Sequence, residues 1–198
     1  ASVLIVEGDP EGAGDIGTLL GLKASRGVAD LAPYLPKLDT QSMSRQIAVH
    51  ATGVGYLPLA ADPSAARGVD PKIFAKIFEM VRPLCDFVVA DCGSDVNQLN
   101  VSMLELSSGI FLMATPDLLV LNHTRRLVER LQSLHFPAQL IKVILNRYDA
   151  STGIPLEMIT AKLQRQVLVT LLQDDPVCQH ATMHGQPFVA HQPRPAIP

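Results

Sequence analysis

Carboxylates recur in this chain directly after short apolar runs. Glu7 and Asp9 follow Val3-Leu4-Ile5-Val6, Asp91 and Gly93 follow Phe87-Val88-Val89-Ala90, and Asp174 with Asp175 follows Val167 to Leu172. Asp117 stands after Ile110 to Ala114, and Asn146 with Arg147 after Ile141 to Leu145. Paired acids suit magnesium, a hard ion that takes carboxylate and water ligands beside phosphate. A carboxylate next to a phosphate can also position an attacking water in phosphoryl transfer. The plain alternative is that each acid caps the helix that follows it. Any one of them taken alone reads better as a cap, and the recurrence at successive strand ends is what points to chemistry.

The runs themselves define the elements that must place these groups. Four branched apolar residues in a row, as in Val3 to Val6, read as a strand buried on both faces, the signature of a parallel sheet. Phe87 to Asp91 and Ile110 to Ala114 read the same way, and Gly55 to Leu59 is a brief strand. Between them lie helical patterns. Asp70-Pro71 starts one with an N-cap acid and proline at the first helical position, and Ile73, Phe74, Ile77, Phe78 and Val81 form its apolar face. Asn97 to Leu106 is helical, and Thr115-Pro116-Asp117 opens a long helix to about Leu134 with Leu127, Leu131 and Leu134 on its inner stripe. Ile154 to Leu163 and Pro176 to His184 complete the set. Alternating β and α units give an α/β fold, three layers with a mostly parallel twisted sheet flanked by helices. In such sheets ligands bind outside the carboxyl ends of the strands, where the acids stand. The expected organisation is one domain over 1–185 and a Pro-rich extended tail over 186–198, which holds four of the fifteen prolines.

Composition sets limits. The chain has 198 residues, 47% hydrophobic and 18% charged, which is enough for one domain with a sizeable core. A formal charge of −3 gives no general reason to expect nucleic acid or an anionic membrane surface as partner. The only basic cluster, Arg125, Arg126 and Arg130, reads as a solvated helix face. Three cysteines are too few for a disulfide framework and suit reduced thiols in the cytoplasm, with Cys92 a small buried filler. No run of eighteen apolar residues and no basic-then-apolar leader occurs in the sequence. No serine has a Gly-x-Ser-x-Gly setting, so acyl transfer lacks support. Cys178, His180 and His184 do not read as a metal triad, because offsets of two and six do not share a helix face.

In order and wording these motifs resemble the MinD/ParA group of deviant-Walker P-loop ATPases, most closely its TadZ/CpaE-like pilus-assembly branch. VLIVEGDPEGAGDIGTLLGL is similar to that family's strand ending in Asp-x-Asp with its glycine-containing loop, and CDFVVADCG to its Walker B strand. RGVADL, GVGYLPLAADP, FLMATPDLLVLNHTRRL, KVILNR and LLQDDPVCQHATMHGQPF are similar to its other segments in the correct order. The resemblance implies ATP or ADP with magnesium as cofactors. Asp9 would orient the hydrolytic water with Glu7 beside it, and Asp91 would reach magnesium through water. Asn146 and Arg147 would lie beside adenine, with Asp174, Asp175 and Gly93 completing the nucleotide contacts. It further implies a homodimer, ATP-driven dimerisation with slow hydrolysis, pilus or secretion machinery as partners, and a cytoplasmic protein recruited to a cell pole or the inner membrane surface.

The departures are as informative. Glu7 stands where the family has its first aspartate, and Gln173 replaces the proline before Asp174. No glycine-rich loop ending in Gly-Lys-Ser/Thr occurs in the sequence, so the lysine and backbone nest that neutralise a triphosphate are missing from it. In the family that loop follows a strand lying inside the sheet beside the Walker B strand, so the expectation is a domain lacking its first strand–loop–helix unit and inactive without it. Two other readings stay open: a nucleotide-independent pseudo-ATPase scaffold that recruits pilus or secretion partners, and a ParA-type DNA-partitioning ATPase.

Overall fold

A computed structural model describes residues 1–149 and 154–191. The elements in chain order are β1 (Val3–Glu7), α1 (Asp15–Leu19), α2 (Val28–Leu31), α3 (Thr40–Ser44), β2 (Ala48–Val49), β3 (Gly55–Leu57), α4 (Pro71–Val81), β4 (Phe87–Asp91) and α5 (Gln98–Glu105). They continue with β5 (Ile110–Ala114), α6 (Leu118–Ser133), β6 (Ile141–Tyr148), α7 (Leu156–Leu163), β7 (Val167–Leu172), α8 (Asp175–His184) and α9 (Phe188–His191). The described chain forms two compact units, Ala1–Leu106 with Gln179–His191, and Ser107–Cys178. Each is α/β, with a mostly parallel sheet and flanking helices.

The first unit carries a sheet in the order β2-β3-β1-β4. β1 is parallel to both β3 and β4, and only the two-residue β2 runs antiparallel. Leu4 and Val6 point into a core with Leu57, Leu59, Phe74 and Ile77. α4 forms as its sequence predicts. The Asp70 carboxylate accepts from the Lys72 amide at 2.8 Å, Pro71 opens the helix, and Phe74, Ile77, Phe78 and Val81 are buried. Each fully buried side chain of this size contributes about 1.5–3 kcal/mol.

The second unit holds β5, β6 and β7, all parallel. Its core joins Ala114, Leu121, Val143, Leu145, Ile159 and Leu163. α6 is capped by Asp117, whose carboxylate accepts from the Leu119 and Val120 amides. Its buried stripe is Leu121, Thr124, Val128 and Leu131, whereas Leu134 is exposed at the helix end. Of the expected stripe Leu131 is buried, whereas Leu127 is half-buried and Leu134 exposed, because they flank the buried face instead of lying on it.

Two further expectations are corrected. β4 and β5 are not buried on both faces. Phe87 and Val89 are 61% and 53% exposed, and Phe111 and Met113 are 58% and 54% exposed, while Val88, Ala90 and Leu112 pack inward. Among the described residues each of these strands pairs along one side only. The 186–198 segment is not extended throughout, because Phe188–His191 forms the short helix α9. Residues 192–198 lie outside the described residues.

Candidate functional site

The site begins where β1 and β4 end side by side, with Glu7 in register with Asp91. The Gly8 amide donates to the Asp91 carbonyl at 2.8 Å, and Gly8 sits against the Met103 side chain of α5 with no room for a Cβ. A side chain between the two acids would have to displace the end of the Met103 side chain and crowd the Asp91 carbonyl.

Glu7 turns inward. It is 1% exposed, and its two carboxylate oxygens accept from the Gly14 amide at 2.9 Å and the Ile16 amide at 3.2 Å. The buried Tyr56 hydroxyl donates to the same carboxylate, and burial together with the Glu7 charge holds the Tyr56 pKa well above the usual tyrosine value. Glu7 thereby fixes the loop from Asp9 to the start of α1, where Gly14 takes a left-handed backbone at φ 92°. Within that loop the Asp9 carboxylate accepts from the Glu11 amide at 3.0 Å, and Arg67 forms an exposed ion pair with Glu11 at 2.6 Å.

Asp9 and Asp91 converge on Gly93. The Asp91 carboxylate accepts from the Gly93 amide at 3.1 Å, and the Asp9 carboxylate packs over Gly93, leaving no space for a Cβ there. The loop after Asp91 is held from below by Asn100, whose amide group donates to the carbonyls of Cys92, at 2.7 Å, and Asp95. The Asn100 side-chain oxygen is buried without a hydrogen-bond partner. Burial, and then the charges of Asp91 and Asp9, push the Cys92 thiol up to about 11, so it is an inert filler rather than a nucleophile.

Two adjacent carboxylates suit a magnesium ion that keeps several waters and uses one or two acids. Asp91 is the residue that would hold it, through water, with Asp9 on the neighbouring loop, and bound there it would offset the charge of a phosphate group. Among the described residues no group of three His, Cys, Asp or Glu side chains is placed to cage a metal directly. A triphosphate does not fit these residues by themselves. The strand ends present acids, and Arg67 is already paired with Glu11.

The second unit gathers the other predicted residues. Asn146 and Arg147 lie inside β6 rather than after it, where the pairing with β7 shifts register between Leu145 and Tyr148. Arg147 has φ 55°, and the Asn146 side-chain oxygen accepts from its amide at 2.9 Å. The Arg147 guanidinium donates to both Asp175 oxygens, at 2.9 and 3.1 Å, and Gln173 donates to Asp175 at 2.8 Å. Asp174 accepts from the Val177 amide at 3.2 Å and caps α8. Glu7, Asp9, Asp91 and Gly93 thus form one set in the first unit, and Asn146, Arg147, Asp174 and Asp175 a second set in the other. Sequence reasoning missed Gly8, Tyr56, Asn100 and Met103. A glycine interrupting a strand end was the available signal for Gly8. The other three look like ordinary strand and helix residues.

No protein-family model matches the sequence, and no curated protein matches it significantly. Solved structures do match. A ParA family ATPase from Chlorobium tepidum TLS superposes with a TM-score of 0.88 at 22% identity, over 98% of this chain and 81% of that one. This chain has the ParA/MinD fold. MinD from Pyrococcus horikoshii OT3, determined with Mg-ADP, matches with a TM-score of 0.78 at 23% identity over 98% of this chain and 77% of its own. An ATP complex of a Cyanothece McdA variant matches at 0.68 and 14% identity over 96% and 78%. The ParA/MinD fold covers nearly all of this chain, and the chain spans about four fifths of these neighbours.

Proposed function

We propose that this chain is the larger part of a ParA/MinD-type positioning protein whose cycle depends on nucleotide in the intact protein, and that it acts in pilus assembly or secretion in the manner of the TadZ/CpaE branch. The observation that carries this reading is the convergence of Asp9 and Asp91 on Gly93 at adjacent parallel strand ends, inside a fold shared with nucleotide-bound neighbours. The motif order over nearly the whole sequence supports the pilus branch. The phosphate-binding groups are assigned to a further strand–loop–helix that pairs with the free side of β4. A protein of this kind works as a homodimer and docks partners on its surface, and MinD of Aquifex aeolicus has been determined in complex with MinC.

Asp9 is assigned the orientation of the hydrolytic water, Asp91 the contact to magnesium through water, and Glu7 the positioning of the Asp9 loop. In the full-length protein Asp9→Ala is expected to retain ATP binding and lose turnover, measured as phosphate release. Unchanged turnover rejects Asp9 in this role. One feature favours a second reading: the unneutralised acids suit a scaffold that hydrolyses nothing and recruits pilus or secretion partners through its surface.

A further inference from the structure

Cys178, His180 and His184 do not make a triad, but His180 and His184 by themselves are four residues apart on α8 and share one face. Their rings stack with centroids 4.2 Å apart and an interplanar angle of 25°. Both side chains are exposed. The Nδ1 of His184 lies 2.8 Å from the carbonyl oxygen of His180. A carbonyl only accepts, so that nitrogen carries the proton and the Nε2 of His184 keeps its lone pair. A backbone carbonyl bound to one ring nitrogen is the usual arrangement behind a metal-ligating histidine, since it sets the tautomer and the ring orientation.

We propose that His180 and His184 form a two-imidazole clip for a divalent first-row transition ion such as Zn2+ or Ni2+. Histidines at i and i+4 present two nitrogens to one ion on a helix, the spacing used by helical zinc motifs. Nitrogens each about 2.0–2.1 Å from a zinc ion lie roughly 3–3.5 Å apart, and because imidazole lone pairs lie in the ring plane, the stack opens for both to reach one ion. Imidazole suits zinc, nickel and copper, whereas magnesium prefers oxygen, so the clip is chemically distinct from the Asp9 and Asp91 pair. Water fills the remaining positions, because no third His, Cys, Asp or Glu among the described residues joins the pair. Since both ligands sit on one helix, the ion binds the helical form of α8 and stabilises it.

The test is a calorimetric titration of the chelator-treated protein with Zn2+, with Mg2+ as the control. The expected result is one zinc per chain at the moderate affinity of a two-imidazole site, weakened at least tenfold in both His180→Ala and His184→Ala, with no corresponding magnesium event. Both residues are on the surface, and circular dichroism of the variants verifies that they fold. A zinc affinity unchanged in both single variants, or no zinc binding by the native chain, overturns the proposal.

Discussion

At the scale of single residues, Glu7 and Asp9 are close in sequence and opposite in environment. Asp9 is half-buried and packs its carboxylate over Gly93, whose amide donates to Asp91, whereas Glu7 is buried and spends both oxygens on backbone amides and Tyr56. Removing that acceptor leaves two amides and a hydroxyl without partners in a buried place, so Glu7→Ala is expected to destabilise the protein by about 3 kcal/mol and Tyr56→Phe by about 1 kcal/mol in urea unfolding. The Tyr56 pKa is raised in the folded state, so its contribution is complete below pH about 10 and falls away as the pH rises beyond it. Tyr56→Phe should remove that part of the alkaline loss; an identical alkaline slope in the variant would contradict the assignment. Both acids were legible in the sequence as a pair at a strand end. Their division of labour was not, because it depends on Tyr56, which lies in β3 beside Ile5, about fifty residues away in sequence.

At the scale of elements, the junction of β1, β4 and α5 builds the site. Gly8→Ala forces a methyl group into the Met103 side chain and against the Asp91 carbonyl, and an expected loss of about 1–3 kcal/mol follows from overpacking. Met103→Ala alone leaves a cavity and should cost about 2–5 kcal/mol. Combined, the two should fall short of their sum by at least about 0.5 kcal/mol, because each relieves the defect of the other. Strict additivity in unfolding midpoints would place Gly8 and Met103 apart. The strands and the long helices were readable from apolar runs, caps and spacing, as in the Asp70-Pro71 start of α4. The one-sided burial of β4 and β5 was not, because a branched apolar run reads the same whether one face of the strand or both are covered. Nor was the bulge at Arg147, where a non-glycine residue takes a left-handed backbone that no local signal marks.

At the scale of the whole molecule, the free side of β4 links fold to function. The Phe87 amide donates to the Ser2 carbonyl and the Asp91 carbonyl accepts from Gly8, so alternate residues of β4 face β1 and the polar groups of Val88 and Ala90 face away from it. In the 198-residue chain the Val88 and Ala90 amides should exchange with deuterium quickly and those of Phe87 and Val89 slowly; equal protection along β4 would mean that its free side is already covered. An apolar edge left open invites another strand, and the proposed function assigns one to it along with the phosphate-binding groups. No helix of the described residues is long and apolar enough to cross a membrane.

Nucleotide dependence is the claim on which this reading turns, and calorimetric titration of the full-length protein with Mg-ATP tests it most directly. The expected result is saturable heat at one site per chain that weakens when magnesium is removed. No heat at high micromolar nucleotide would contradict the account and leave the scaffold reading in its place.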